Sequence, residues 1–184
     1  MVSPASLSGG RPGTGPSRAA VPAGSVDAAA VRAAVAAVVD PEIRVVTIEE
    51  LGILRAVSVA DDGRARVTIT PTYSGCPAMD VIRRDVAEAA LAAGAAGADV
   101  ETVLAPAWST DMISESGRAK LAAAGIAPPG PAGRQGPVLL RLSVRCPRCG
   151  SMATEQLSRF GSTACKALWR CTECREPFDE IKPH

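Results

Sequence analysis

The chain has 184 residues, enough for one ordinary domain and a smaller companion. Twenty basic residues against nineteen acidic ones leave a formal charge of +1, which argues against nucleic-acid binding governed by phosphate electrostatics. No apolar run approaches the roughly 20 residues of a membrane span, so no membrane role is expected.

Residues 1–23 are mostly Ser, Gly, Pro and Ala and lack the apolar core of a secretory signal. They hold too little apolar surface to offset ordering entropy, so a disordered tail and a cytoplasmic protein are expected. Ser25 suits a helix N-cap, and Val31, Val35, Val38 and Val39 follow at helical spacing. Pro41 should end that helix, leaving Asp40-Pro41-Glu42 as an exit with two carboxylates. Taken alone, such an exit is what any solvated turn looks like.

From Leu51 to Thr70 alternation on both sides of Asp62-Gly63 predicts a hairpin. Its second strand runs into Thr70-Pro71-Thr72-Tyr73-Ser74-Gly75-Cys76-Pro77, and a helix is expected from Pro77 to about Ala93. Cys76 thus falls at a strand–turn–helix junction, where free N–H groups and the helix dipole should lower its pKa. The competing reading is a small buried hydrophobe. The helix's inner face is Ile82, Val86, Ala89, Ala90 and Ala93, with Gly94 as its stop. Val100–Leu104 reads as a third strand, Trp108–Met112 as a loop, and Ser116–Ala124 as a short helix stopped by Gly125. The expected fold over residues 24–126 is α+β, a small three-stranded sheet covered by helices.

Residues 127–137 form a Pro/Gly linker, and residues 138–184 a small β-rich domain. There, after a strand over Val138–Arg145, Cys146-x-x-Cys149 and Cys171-x-x-Cys174 stand twenty-one residues apart. Each pair places two sulfurs on one side of a turn, and two such turns make a closed four-thiolate site suited to a structural Zn²⁺, or iron in its place. Disulfides are the alternative, disfavoured in a reducing compartment. This segment carries eight Lys/Arg and five Asp/Glu, and Zn²⁺ with four thiolates adds −2, too little positive charge for a nucleic-acid ribbon. Cys165 lies outside the ligand pattern, either a thiol near Lys166 or a core cysteine. His184 is the lone histidine, so Ser–His or Cys–His hydrolysis is not expected, and neither G-x-G-x-x-G nor a Walker A motif is present.

Asp40-Pro41-Glu42, Thr47-Ile48-Glu49-Glu50-Leu51-Gly52 and Thr70 to Met79 resemble the iron–sulfur-assembly domain of the SufT type. With Phe160-Gly161-Ser162-Thr163-Ala164-Cys165-Lys166-Ala167 and Cys171 to Phe178, residues 25–184 resemble the PaaD family, whose members are named with the phenylacetyl-CoA epoxidase system. The resemblance implies a non-enzymatic maturation factor for that monooxygenase, with its oxygenase and iron–sulfur reductase as partners. A structural or electron-transfer component of the complex is the alternative. It also implies that Cys76, with Asp40, Glu42 and Cys165, handles a transient iron–sulfur cluster. A cluster normally takes four thiolates. Cys165, the second Cys76 of a homodimer, exogenous thiols or a partner's cysteines must complete the set.

Overall fold

The computed structural model describes residues 26–73, 75–130 and 143–182. The expected tail, Ser25, most of the linker, Val138 and His184 lie outside them.

Helix α1 spans Ala28–Ala36 and is capped by Asp27, whose carboxylate accepts from the N–H groups of Ala29 and Ala30 at 2.9 and 3.2 Å. Val31 and Val35 are fully buried on its inner face, each worth roughly 1.5–3 kcal/mol of hydrophobic burial. The helix stops well before Pro41. Past Ala37 the chain turns to a backbone partner instead. The Asp40 N–H donates to Val46 O and the Ile48 N–H to Val38 O, and Val39 bridges Thr47. Val39 is consequently exposed, not on the expected apolar face. Tertiary pairing here overrides helix periodicity.

Strands β1 (Leu54–Val59) and β2 (Arg64–Ile69) form the expected hairpin, its turn closed at Gly63 with φ +78°. Ala65, Val67 and Ile69 alternate inward and are buried. Helix α2 (Met79–Ala92) follows, burying Met79, Ile82, Val86 and Ala90 along one stripe. Strand β3 (Gly97–Thr102) then pairs parallel to β2, giving the sheet order β1-β2-β3. It starts and ends before the expected Val100–Leu104 because its ladder is set by the length of β2, and Leu104 is left exposed. A 3₁₀ turn occupies Thr110–Met112 within the expected loop, and helix α3 spans Glu115–Ala123 with Ser114 as cap. The α+β class with a three-stranded sheet is as expected. No helix of the described residues is long and apolar enough to cross a membrane.

Strand β4 (Ile126–Ala127) leaves this unit and pairs parallel to β7 (Pro177–Ile181), so Ala127 is strand where linker was expected. Strands β5 (Thr154–Ser158), β6 (Lys166–Cys171) and β7 complete a second sheet in the order β4-β7-β6-β5. Residues 143–145 are not strand, unlike the expected Val138–Arg145. Val144 is held instead by Thr154, whose Oγ1 accepts from its N–H and donates to its C=O. A small core of Ala127, Val144, Ala167, Trp169 and Phe178 surrounds Cys146 and Cys171, while Ile181 is buried in the core of the first unit.

Candidate metal centre and cysteine cavity

Two tight turns carry the four-cysteine group. In the first, the Gly150 N–H donates to Cys146 O at 2.9 Å and the Cys146 N–H to Ser151 O at 2.9 Å. In the second, the Cys171 N–H donates to Glu176 O at 3.0 Å. Each turn has a left-handed residue directly after its second cysteine, Gly150 (φ +76°) and Arg175 (φ +66°). Arginine in that conformation costs about 1–2 kcal/mol, so the turn geometry is enforced by its surroundings.

All four sulfurs lie within 4.8 Å of one another. Cys146 Sγ stands 3.8 Å from Cys174 Sγ, and Cys149 Sγ 3.5 Å from Cys171 Sγ. A tetrahedral ion with bonds of about 2.3 Å requires sulfurs about 3.8 Å apart, so the donor set fits a four-thiolate metal ion. The Cys171 thiol is held at about 7, chiefly by the backbone N–H of Cys174, against the cost of burial and with help from the N–H of Glu173. One thiolate is therefore available near neutrality to begin ligation.

The other expected site residues meet in a cavity between the two units. Asp40, Glu42 and Cys76 enter from the first unit, Cys165 and Ile181 from the ribbon. Leu51, Ile53, Met79, Ile82 and Trp108 supply apolar walls. The Trp108 indole is fixed there by donating Nε1–H to Leu51 O at 2.8 Å. The enclosed space is about 20 Å³, room for one water or a single ion.

Asp40 is 6 % exposed, and its Oδ1 accepts from the N–H groups of Glu42 at 2.9 Å and Ile43 at 2.7 Å. The residue thus closes the turn that carries Glu42. Burial pushes its carboxyl above the ordinary range, resisted by those two N–H groups and by Lys166. Asp40→Ala strands two donors and is expected to cost about 1–3 kcal/mol in urea unfolding. Asp40→Asn keeps an acceptor and removes a buried charge, so at neutral pH it should unfold no earlier than the parent. A raised folded pKa means the charge opposes folding above that pKa, and the penalty fades as pH falls through it towards the unfolded value. Any advantage of the Asn variant should therefore shrink on acidification. An Asn variant as unstable as the Ala variant at neutral pH would show that the charge itself is needed.

Cys76 does not sit at the cap of α2. Ala78 does, and Cys76 lies in the turn before it, its N–H donating to Tyr73 O and its C=O accepting from Met79 N–H. Its thiol is pushed up, not down as expected. Burial is the largest cause, the Ala78 N–H opposes it, and Glu42, Cys165 and Asp40 add to the rise. One N–H cannot outweigh burial beside two carboxylates and another thiol. Cys165 is likewise pushed up by burial, partly offset by Thr163, whose Oγ1 lies 3.0 Å from its sulfur. Cys165 Sγ stands 4.0 Å from Glu42 Oε2.

The ribbon loop is held by Lys166, 5 % exposed, whose Nζ donates to Ser162 Oγ at 3.1 Å and lies 3.9 Å from Asp179 Oδ2. A Cβ on Gly161 would fall 2.6 Å from Asp179 Oδ1, which explains glycine there. Sequence reasoning named Lys166 beside Cys165 but missed Trp108 and Ile181 as parts of this site. Only the buried apolar character of Trp108 and Ile181 was a signal, and it does not say which cavity they close. An open groove of about 440 Å³ abuts the cavity, sharing Thr72 and Trp108 with it.

Two family models match the chain. Residues 28–105 match the iron–sulfur cluster assembly protein family, and residues 133–182 the PaaD zinc beta ribbon domain. A protein of Escherichia coli (strain K12), named provisionally as the D component of 1,2-phenylacetyl-CoA epoxidase, is 47 % identical over 78 % of this chain and 85 % of its own length. An Fe-S protein maturation auxiliary factor of Porphyromonas gingivalis is 38 % identical over 46 % of this chain and 80 % of its own. Among solved structures, a domain of unknown function from Bacillus anthracis is 29 % identical with a TM-score of 0.47, covering 51 % of this chain and 90 % of that one.

Proposed function

The chain belongs to the PaaD family of phenylacetyl-CoA epoxidase components, and from that premise we propose that it is an accessory factor delivering iron or an iron–sulfur cluster to the phenylacetyl-CoA monooxygenase. Its clients are the oxygenase and the iron–sulfur reductase of that complex, and it acts in the cytoplasm without catalysing a reaction of its own. The observation that carries this reading is the cavity. Two thiols and two carboxylates line one cavity where the unit matching the iron–sulfur assembly family meets the ribbon, beside an open groove, and among the described residues no four-thiolate set is present there.

Residues 24–126 and 138–184 serve as the two working parts. The ribbon's four cysteines hold a structural Zn²⁺, which closes the site to water and leaves those sulfurs unavailable to cargo. In the cavity, Asp40 fixes the turn so that Glu42 faces the thiols, and Cys76 takes the cargo. An incomplete ligand set suits a protein that must release what it holds. The name of the Escherichia coli relative favours a second reading, a structural or electron-transfer component of the complex. Deleting the gene in a host that grows on phenylacetate separates them. The maturation reading expects oxygenase and reductase polypeptides made at normal levels but short of iron. Fully loaded polypeptides that fail to assemble would support the second reading and overturn the first.

A further inference from the structure

Cys165 belongs to the ribbon, yet its sulfur faces the first unit. Its backbone is pinned by the Lys182 N–H, which donates to Cys165 O at 2.9 Å, and Ile181 anchors the same edge in the first unit's core. Lys166, next in sequence and nearly buried, faces Asp179 within the ribbon and acts only weakly on Asp40 across the boundary. The β4–β7 pairing ties the two units from the other side. The position of this cysteine is therefore built by docking.

We propose that Cys76, Cys165 and Glu42 form one labile site for a thiophilic divalent metal ion, assembled only when the ribbon is docked. The site rests on the maturation reading only for the identity of its cargo as iron. Two sulfurs and one carboxylate select Fe²⁺, Co²⁺ or Zn²⁺ over Mg²⁺ and Ca²⁺, which prefer all-oxygen shells. Three protein donors leave a fourth position open, as exchangeable sites do and the ribbon's four-sulfur site does not. The free space of about 20 Å³ is room for a single ion. Among the described residues only the ribbon's four cysteines already have all ligand atoms within 4.8 Å, so the three donors here must draw together on binding. That movement weakens the site relative to the ribbon's own. The step is not redox: M²⁺ displaces one proton from each thiol, two protons go to solvent, and the Glu42 carboxylate completes the set.

The test adds Co²⁺, without oxygen, to the full chain with its ribbon already loaded with zinc. Thiolate-to-cobalt absorption should report one further equivalent, with the zinc retained and two protons released per Co²⁺ in the unbuffered parent. Cys76→Ser and Cys165→Ser should each weaken cobalt binding at least about tenfold. Glu42→Gln should weaken it less. Cobalt binding unaffected by Cys165→Ser, or absorption accompanied by zinc loss, overturns the site. Fewer than two protons released by the parent overturns it as well, whatever the variants' folding. Iron loading of the client reads the other proposal. If Cys165→Ser loses cobalt while the client stays fully loaded when the gene is deleted, the site stands and the maturation reading falls. If Cys165→Ser keeps cobalt while Cys76→Ser starves the client, the reverse holds.

Discussion

Cys174→Ser is expected to release the ribbon's metal and unfold residues 143–182 while leaving the first sheet intact. The apolar core of the ribbon is five residues around two of the ligands, too small to hold the segment unaided. Structural zinc contributes roughly 10–16 kcal/mol to such folds, so losing a ligand removes most of what stabilises this one. Metal analysis should fall from about one ion per chain to well below it. The near-ultraviolet signal of buried Trp169 should be lost, and urea unfolding should show the first unit melting separately. Cys165 would then have no fixed place, so the cavity should lose its ribbon wall in the same variant. A full metal complement with an unchanged Trp169 signal would refute the ligand assignment.

Cys76→Ser should have the larger functional effect and almost no structural one. The sulfur is half-buried, bonds to no ribbon ligand, and loses little volume on replacement, so stability should stay within about 1 kcal/mol of the parent. The ribbon's metal content should be unchanged. In cells the oxygenase and reductase should be made but carry little iron, and growth on phenylacetate should fail. Cys76→Ala should behave the same way, because what is lost is a metal-binding sulfur and not a hydrogen bond. If growth and client iron match the parent in both variants, Cys76 is a packing residue and delivery does not pass through it.

Local chemistry was readable wherever its determinants lie within a few residues. The two C-x-x-C pairs specify their turns and their ligand set by spacing alone, and the sulfur distances of 3.5 and 3.8 Å agree. The Asp62-Gly63 hairpin and the α2 stripe were legible for the same reason, since alternation and helical period are properties of short windows. The end of α1 was not. Its stop depends on backbone bonds between Val38–Asp40 and Val46–Ile48, which no proline rule anticipates.

The cavity shows the same division more sharply. The family resemblance grouped Cys76, Asp40, Glu42 and Cys165, but nothing in the sequence placed Cys165 against Glu42. That contact required Ile181 to be buried in the first core, β4 to cross to β7, and Lys166 to sit near Asp40. The raised pKa of Cys76 has the same origin. A helix start by itself would lower it, whereas burial and acidic neighbours delivered by tertiary packing raise it. The kinds of side chain available were thus determined by the sequence, and the company each keeps by the packing of distant segments, because burial and charge act through space and not along the chain.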